Sequence, residues 1–121
     1  MTAESQPIYP EELYYEGLDL LAAGRAVEAI DRFQGCLRAN PGMLDAMHGL
    51  IRALQESGEL DKAIATAHRL LELDPEETLA HTSLSILYQH KGMIAEAEAE
   101  ATKAKLLGWK KQLREEREGE R

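Results

Sequence analysis

A 34-residue recurrence constrains this chain more than any other feature. Gly24, Gly58 and Gly92 open the segments "GRAVEA", "GELDKA" and "GMIAEA"; 58 minus 24 and 92 minus 58 both give 34. Ala29, Ala63 and Ala97 keep that interval, as do Pro41 and Pro75, with Trp109 where a third proline would stand. Each glycine follows a helical run, "DLLAAG", "ALQESG" or "LYQHKG", and a residue free to take positive φ ends a helix cheaply there. The alanine five residues on leaves room for two helix backbones to approach. Apolar residues around it recur at three and four positions, as in Ile64, Ala67, Leu70 and Leu71, which is the signature of a packed helix face. The pattern predicts a helical hairpin, three times over. In "LDPEE", Asp74 is expected to cap the following helix, with Pro75 in its first turn and Glu77 completing a capping box.

Helices of about 14 residues are marginal alone in water. Neighbouring hairpins must therefore cover one another's apolar faces, and about three repeats is the minimum for a stable array.

A period of 34 with two helices per unit resembles the tetratricopeptide repeat family, whose pattern is W-x2-L-G-x2-Y, then A-x3-F, then P. The first motif reads Leu13, Glu16, Gly17, Leu20; then Met47, Leu50, Ile51, Leu54; then His81, Leu84, Ser85, Tyr88. The second reads Ala29 and Phe33, Ala63 and Ala67, Ala97 and Ala101. Glu16 and His81 stand at places that are apolar in the family. The resemblance covers residues 10 to 111 and implies an all-α fold: a right-handed superhelical array of three helix-turn-helix repeats (10–43, 44–77, 78–111) behind a nine-residue N-terminal segment (1–9). A C-terminal capping helix would follow, with residues 112–121 its end and charged tail; in it Trp109 and Leu113, four apart, would cover the last hairpin.

In that family the first helix of each repeat lines a concave groove. The resemblance places nine side chains there: Tyr14, Leu18 and Leu21; His48, Arg52 and Gln55; Thr82, Ile86 and Gln89. At 100° per residue, the apolar arc of the first helix spans roughly 220°, against the ~100° that packing needs. Either a partner covers the excess, or the second repeat buries part of it and Tyr15 and Ala22 are ordinary surface residues. Arg52 either meets a partner's carboxylate or carbonyl or pairs with Glu56 one turn away. A clamp for the C-terminal carboxylate of heat-shock proteins, known in some relatives, is disfavoured. Its positions would fall on Tyr14, Leu18, Gly49, Leu79 and Ser83, none of them suitable. Ile8, Tyr9 and Tyr15 have nothing upstream to pack on and form a candidate assembly surface. The expected function is a non-catalytic protein-interaction module that binds a peptide or helix of a partner. The alternative is a subunit permanently built into a multiprotein complex or homo-oligomer through its N-terminal helix or convex face.

Charge narrows the partner class. The net charge is -8, and Glu4, Glu11, Glu12, Glu16, Asp19, Glu28 and Asp31 face only Arg25 within the first 31 residues. Such a surface repels phosphate backbones and anionic lipid, so nucleic acid is not an expected partner. No apolar run approaches the ~20 residues that cross a bilayer, and membrane insertion is not expected. The single cysteine, Cys36, excludes an intramolecular disulfide. With an acid where a signal peptide carries bases, the expected location is cytoplasmic, or periplasmic after loss of a leader.

Chemistry has little footing. Cys36 shares the inward stripe with Phe33 and Leu37 and has no histidine close in sequence. His48, His68, His81 and His90 lack zinc-site spacing, and every glycine that ends a helix stands alone, so no phosphate loop forms. Neither a catalytic residue, a metal site nor a cofactor is expected.

Overall fold

The computed structural model describes residues 9–120. It contains six α-helices and no strand among the described residues: α1 (Pro10–Ala22), α2 (Ala26–Ala39), α3 (Leu44–Glu56), α4 (Leu60–Leu73), α5 (Thr78–His90) and α6 (Ile94–Gly119). Gly24, Gly58 and Gly92 have φ of 78°, 87° and 76° and each closes the helix before it. In each case the next residue donates back five positions: Arg25 N to Leu20 O at 2.9 Å, Glu59 N to Leu54 O at 2.9 Å, Met93 N to Tyr88 O at 2.8 Å. These bonds satisfy carbonyls that a helix end otherwise leaves open, and they recur at the 34-residue interval because the glycines do.

The chain divides into two compact units inside α4, after Thr66. In the first, α2 packs on both α1 and α3, and α1 also touches α3. Ala29, Phe33 and Cys36 are fully buried, and Ile30 and Leu37 nearly so. Phe33 is the centre: a Cβ built on Gly17 of α1 would stand 2.7 Å from its Cε1, and one built on Gly49 of α3 only 2.5 Å. Both neighbours are glycine because the ring occupies the space a side chain would need. Glu16, at a usually apolar repeat position, stays exposed and accepts from Arg32 of α2 at 3.0 Å.

In the second unit α5 packs on α6. Its interior holds Leu84, Leu87, Ala97 and a polar pair, His81 and Glu100. His81 therefore packs, as its repeat position predicts, and does so against a carboxylate.

Two local expectations are corrected. Helix α5 begins at Thr78, not at Pro75, and its cap is Glu77, whose carboxylate accepts from Leu79 N at 3.1 Å. Asp74 instead holds the turn, accepting from Glu76 N at 3.2 Å through its side chain and from Glu77 N at 3.1 Å through its carbonyl. At the C-terminus the expected capping segment is helical, but as the uninterrupted continuation of α6 through Gly108 rather than a separate element. The tryptophan in the proline's place explains it: Trp109 keeps its N–H and brings no ring into the preceding turn, so nothing breaks the helix. Trp109 and Leu113 do not cover the hairpin either; they are 57% and 61% exposed.

Candidate interaction surface

In the first unit α1 and α3 bring six of the nine predicted groove residues onto neighbouring helices. Tyr14 is half-buried, its ring centroid 6.1 Å from that of Phe33 and 5.5 Å from that of Tyr15 in an edge-on arrangement. Burial pushes the Tyr14 phenol up, and the Asp45 carboxylate on α3 adds to it, so Tyr14 stays a neutral donor at any ordinary pH. Leu18 is 36% exposed; Leu21, His48 and Gln55 are half-buried and Arg52 is exposed. Arg52 Nε donates to Glu56 Oε2 at 2.8 Å, the intrahelical pairing that sequence spacing allows. That bond uses one of five guanidinium donors, and the side chain remains 69% accessible.

In the second unit α5 presents Thr82, Ile86 and Gln89, all exposed, with Ile86 at 40%. Thr82 donates to Thr78 O at 3.3 Å, leaving its oxygen open as an acceptor. Leu79, two turns before Ile86 and exposed, extends the apolar surface there. In the sequence Leu79 stands out only as an unsuitable clamp position, although its i, i+7 spacing to Ile86 puts it on the same face.

Of the candidate assembly residues, Ile8 lies outside the described residues. Tyr9, at the N-cap of α1, is exposed, and Tyr15 is 62% exposed. An open cleft of about 520 Å³ runs between α1 and α2, with Leu13, Gly35 and Ala39 in its lining. Its charged rim is partly self-neutralised: Arg32 bonds Glu16 at 3.0 Å and Asp31 at 2.7 Å.

Cys36 is fully buried and its Sγ donates to Pro10 O at 3.2 Å. Burial pushes its thiol up. Among the described residues no three His, Cys, Asp or Glu side chains gather where they could hold a metal ion, and no helix is long and apolar enough to cross a membrane.

Residues 20–87, more than half of the chain, match the tetratricopeptide repeat family. The chain belongs to the tetratricopeptide repeat family. Solved structures of family architecture superpose on it closely. MamA is 28% identical with a TM-score of 0.81 over 86% of this chain and 61% of its own. SycD, described as a type III secretion translocator chaperone of Yersinia enterocolitica, is 24% identical with a TM-score of 0.78 over 81% of this chain and 74% of its own. YrrB, described as a tetratricopeptide repeat protein with an unusual peptide-binding site, is 20% identical with a TM-score of 0.79 over 86% of this chain and 54% of its own. This tetratricopeptide repeat chain thus spans about three fifths of MamA's length. No curated protein sequence matches it.

Proposed function

We propose that this tetratricopeptide repeat protein is a non-catalytic interaction module that takes a peptide or helical segment of another protein on the first helices of its repeats. One observation carries the reading. Leu18 and Ile86 hold the same repeat position two intervals apart, both are large and apolar, and both are left partly exposed at 36% and 40%. Arg52 holds that position in the repeat between them, mostly in solvent. Apolar anchors with one adjustable cation suit an amphipathic helix or extended peptide that brings a carboxylate or carbonyl. Tyr14, Leu21, His48, Gln55, Thr82 and Gln89 complete the proposed surface. The fold also carries a peptide-binding site in YrrB and serves a translocator chaperone in SycD.

The test is capture of partners from the native host, identification by mass spectrometry, and calorimetric titration of the captured segment. Leu18→Asp and Ile86→Asp are each expected to weaken binding at least about tenfold. Unchanged affinity in both overturns the groove. The alternative, permanent assembly through the N-terminal helix, draws on the exposure of Tyr9 and Tyr15 and predicts co-purification at fixed stoichiometry.

A further inference from the structure

The second half of α6 presents an apolar stripe that is left uncovered. Leu106, Trp109 and Leu113 are 54%, 57% and 61% exposed, and intervals of three and four put them on one helix face. The residues of α6 that are buried or half-buried, Ala97, Glu100, Ala104 and Leu107, project to the other side at 100° per residue. Single exposed leucines are ordinary; three contiguous large apolar side chains mark a contact surface. By the same projection Lys110, Arg114 and Arg117 run along one edge of the stripe, with Lys105, Gln112 and Glu116 along the other. Lys110 and Arg114 share a single carboxylate, Glu76, at 3.0 and 3.5 Å. Arg117 has no ion pair among the described residues. That edge is therefore net positive in a chain whose net charge is -8.

Helix α1 has the complementary character. It carries Glu11, Glu12, Glu16 and Asp19 and no base. Glu16 is committed to Arg32, while Glu11, Glu12 and Asp19 form no ion pair among the described residues. Its solvent face holds Tyr15, Leu18 and Ala22, all exposed, with Glu11 on the same face and Glu12 and Asp19 along its border.

We propose that the Leu106–Trp109–Leu113 stripe of one copy receives the Tyr15 face of α1 from a second copy, with the carboxylate edge of α1 against the Lys110–Arg114–Arg117 edge of α6. Charge complementarity selects this occupant. An antiparallel two-fold pairing of α6 with α6 sets the basic edge against itself, and one of α1 with α1 sets carboxylates against carboxylates, which costs stability in each case. A single such contact joins unlike surfaces and leaves one of the two faces unused on each copy, open either to a reciprocal contact that closes a two-fold dimer or to further copies in a ring or a filament. The inference goes beyond the groove reading: Arg52 and the exposed face of α5 take no part. Leu18 borders both surfaces and is left unchanged in the test.

Sedimentation velocity of the full chain, from micromolar to near-millimolar concentration, tests it with two surface variants, Tyr15→Lys and Trp109→Glu. Wild type is expected to associate, as a dimer or beyond, with rising concentration, and less so at high salt, which screens the edges. Each variant alone is expected to weaken association at least about tenfold. Circular dichroism reports whether each variant remains folded. Mixed together, the two variants are expected to restore one contact, since Tyr15→Lys keeps an intact α6 and Trp109→Glu an intact α1, and to stop at a one-to-one dimer. A wild type that stays monomeric overturns the proposal, as does association that persists in Tyr15→Lys, which points to α6 pairing with itself. A mixture that gives no dimer overturns it too. None of these outcomes touches Ile86 or Arg52, so the groove reading is judged separately.

Discussion

His81 Nδ1 lies 2.7 Å from Glu100 Oε1, and both side chains are about nine-tenths buried in the α5–α6 hairpin. The other carboxylate oxygen accepts from Lys103 Nζ at 3.2 Å. A buried carboxylate is costly unless donors surround it, and here two donors from different helices do so. Burial pushes the Glu100 carboxyl up, but the hydrogen bonds from His81 and Lys103, together with the Lys103 charge, outweigh it and hold the group below the usual carboxylate range.

A depressed carboxyl stabilises the fold above its unfolded value of about 4.3 and loses that contribution as pH falls through the lower folded value. Urea denaturation from pH 7 down to pH 3 is expected to show stability falling on the acid limb, with Glu100→Gln flattening part of that fall. At pH 7, Glu100→Ala is expected to cost about 3 kcal/mol, the typical penalty for removing one partner of a buried pair. A loss below about 0.5 kcal/mol would show the pair to be energetically idle.

Phe33 leaves no room for a methyl group at Gly17 or Gly49. Each glycine-to-alanine change is expected to cost about 1–3 kcal/mol through overpacking. Combining either with Phe33→Leu should give less than the sum of the two losses, because the smaller side chain relieves the clash. Chemical denaturation of the four proteins in each cycle measures this, and strict additivity would contradict it.

Gly58 and Gly108 should respond to alanine in opposite directions. Gly58 has φ of 87°, where a Cβ costs about 1–2 kcal/mol. Gly108 lies inside α6 with open space around it, where alanine gains about 0.5–1 kcal/mol in helix propensity. Thermal melts read both. A destabilised Gly108→Ala would mean that a bend at Gly108 matters to the fold.

Cys36 combines full burial with a thiol pushed above its usual value. Its native-state reaction with a thiol reagent at neutral pH is expected to be far slower than that of a free cysteine and to accelerate with urea, following local opening. Rapid labelling without denaturant would reopen a reactive role.

The three helix-ending glycines, the inward alanines and the buried Cys36 were all legible in the sequence, because each follows from local geometry repeated at a fixed interval. The exposure of Tyr15, the intrahelical pairing open to Arg52 and the packing of His81 were legible as well. The bond from His81 to Glu100 was not: the two residues are 19 apart, at places no motif links, and only the packing of α5 on α6 brings them together. The start of α5 was misplaced because Asp-Pro suits both a helix cap and a tight turn, and Glu77 proved the better cap.

The sequence by itself determined the elements: where the first helix of each hairpin stops, which side turns inward, and that three similar hairpins follow one another. Those properties rest on backbone sterics and side-chain periodicity, which act over a few residues. Tertiary structure decided which polar groups are buried as partners, that a ring at Phe33 forbids side chains on two neighbouring helices, and which apolar residues stay uncovered. Such outcomes depend on what lies opposite a side chain in space. Trp109 marks the border between the two: its place in the repeat removed the helix stop, but only the path of α6 showed that its ring stays in solvent.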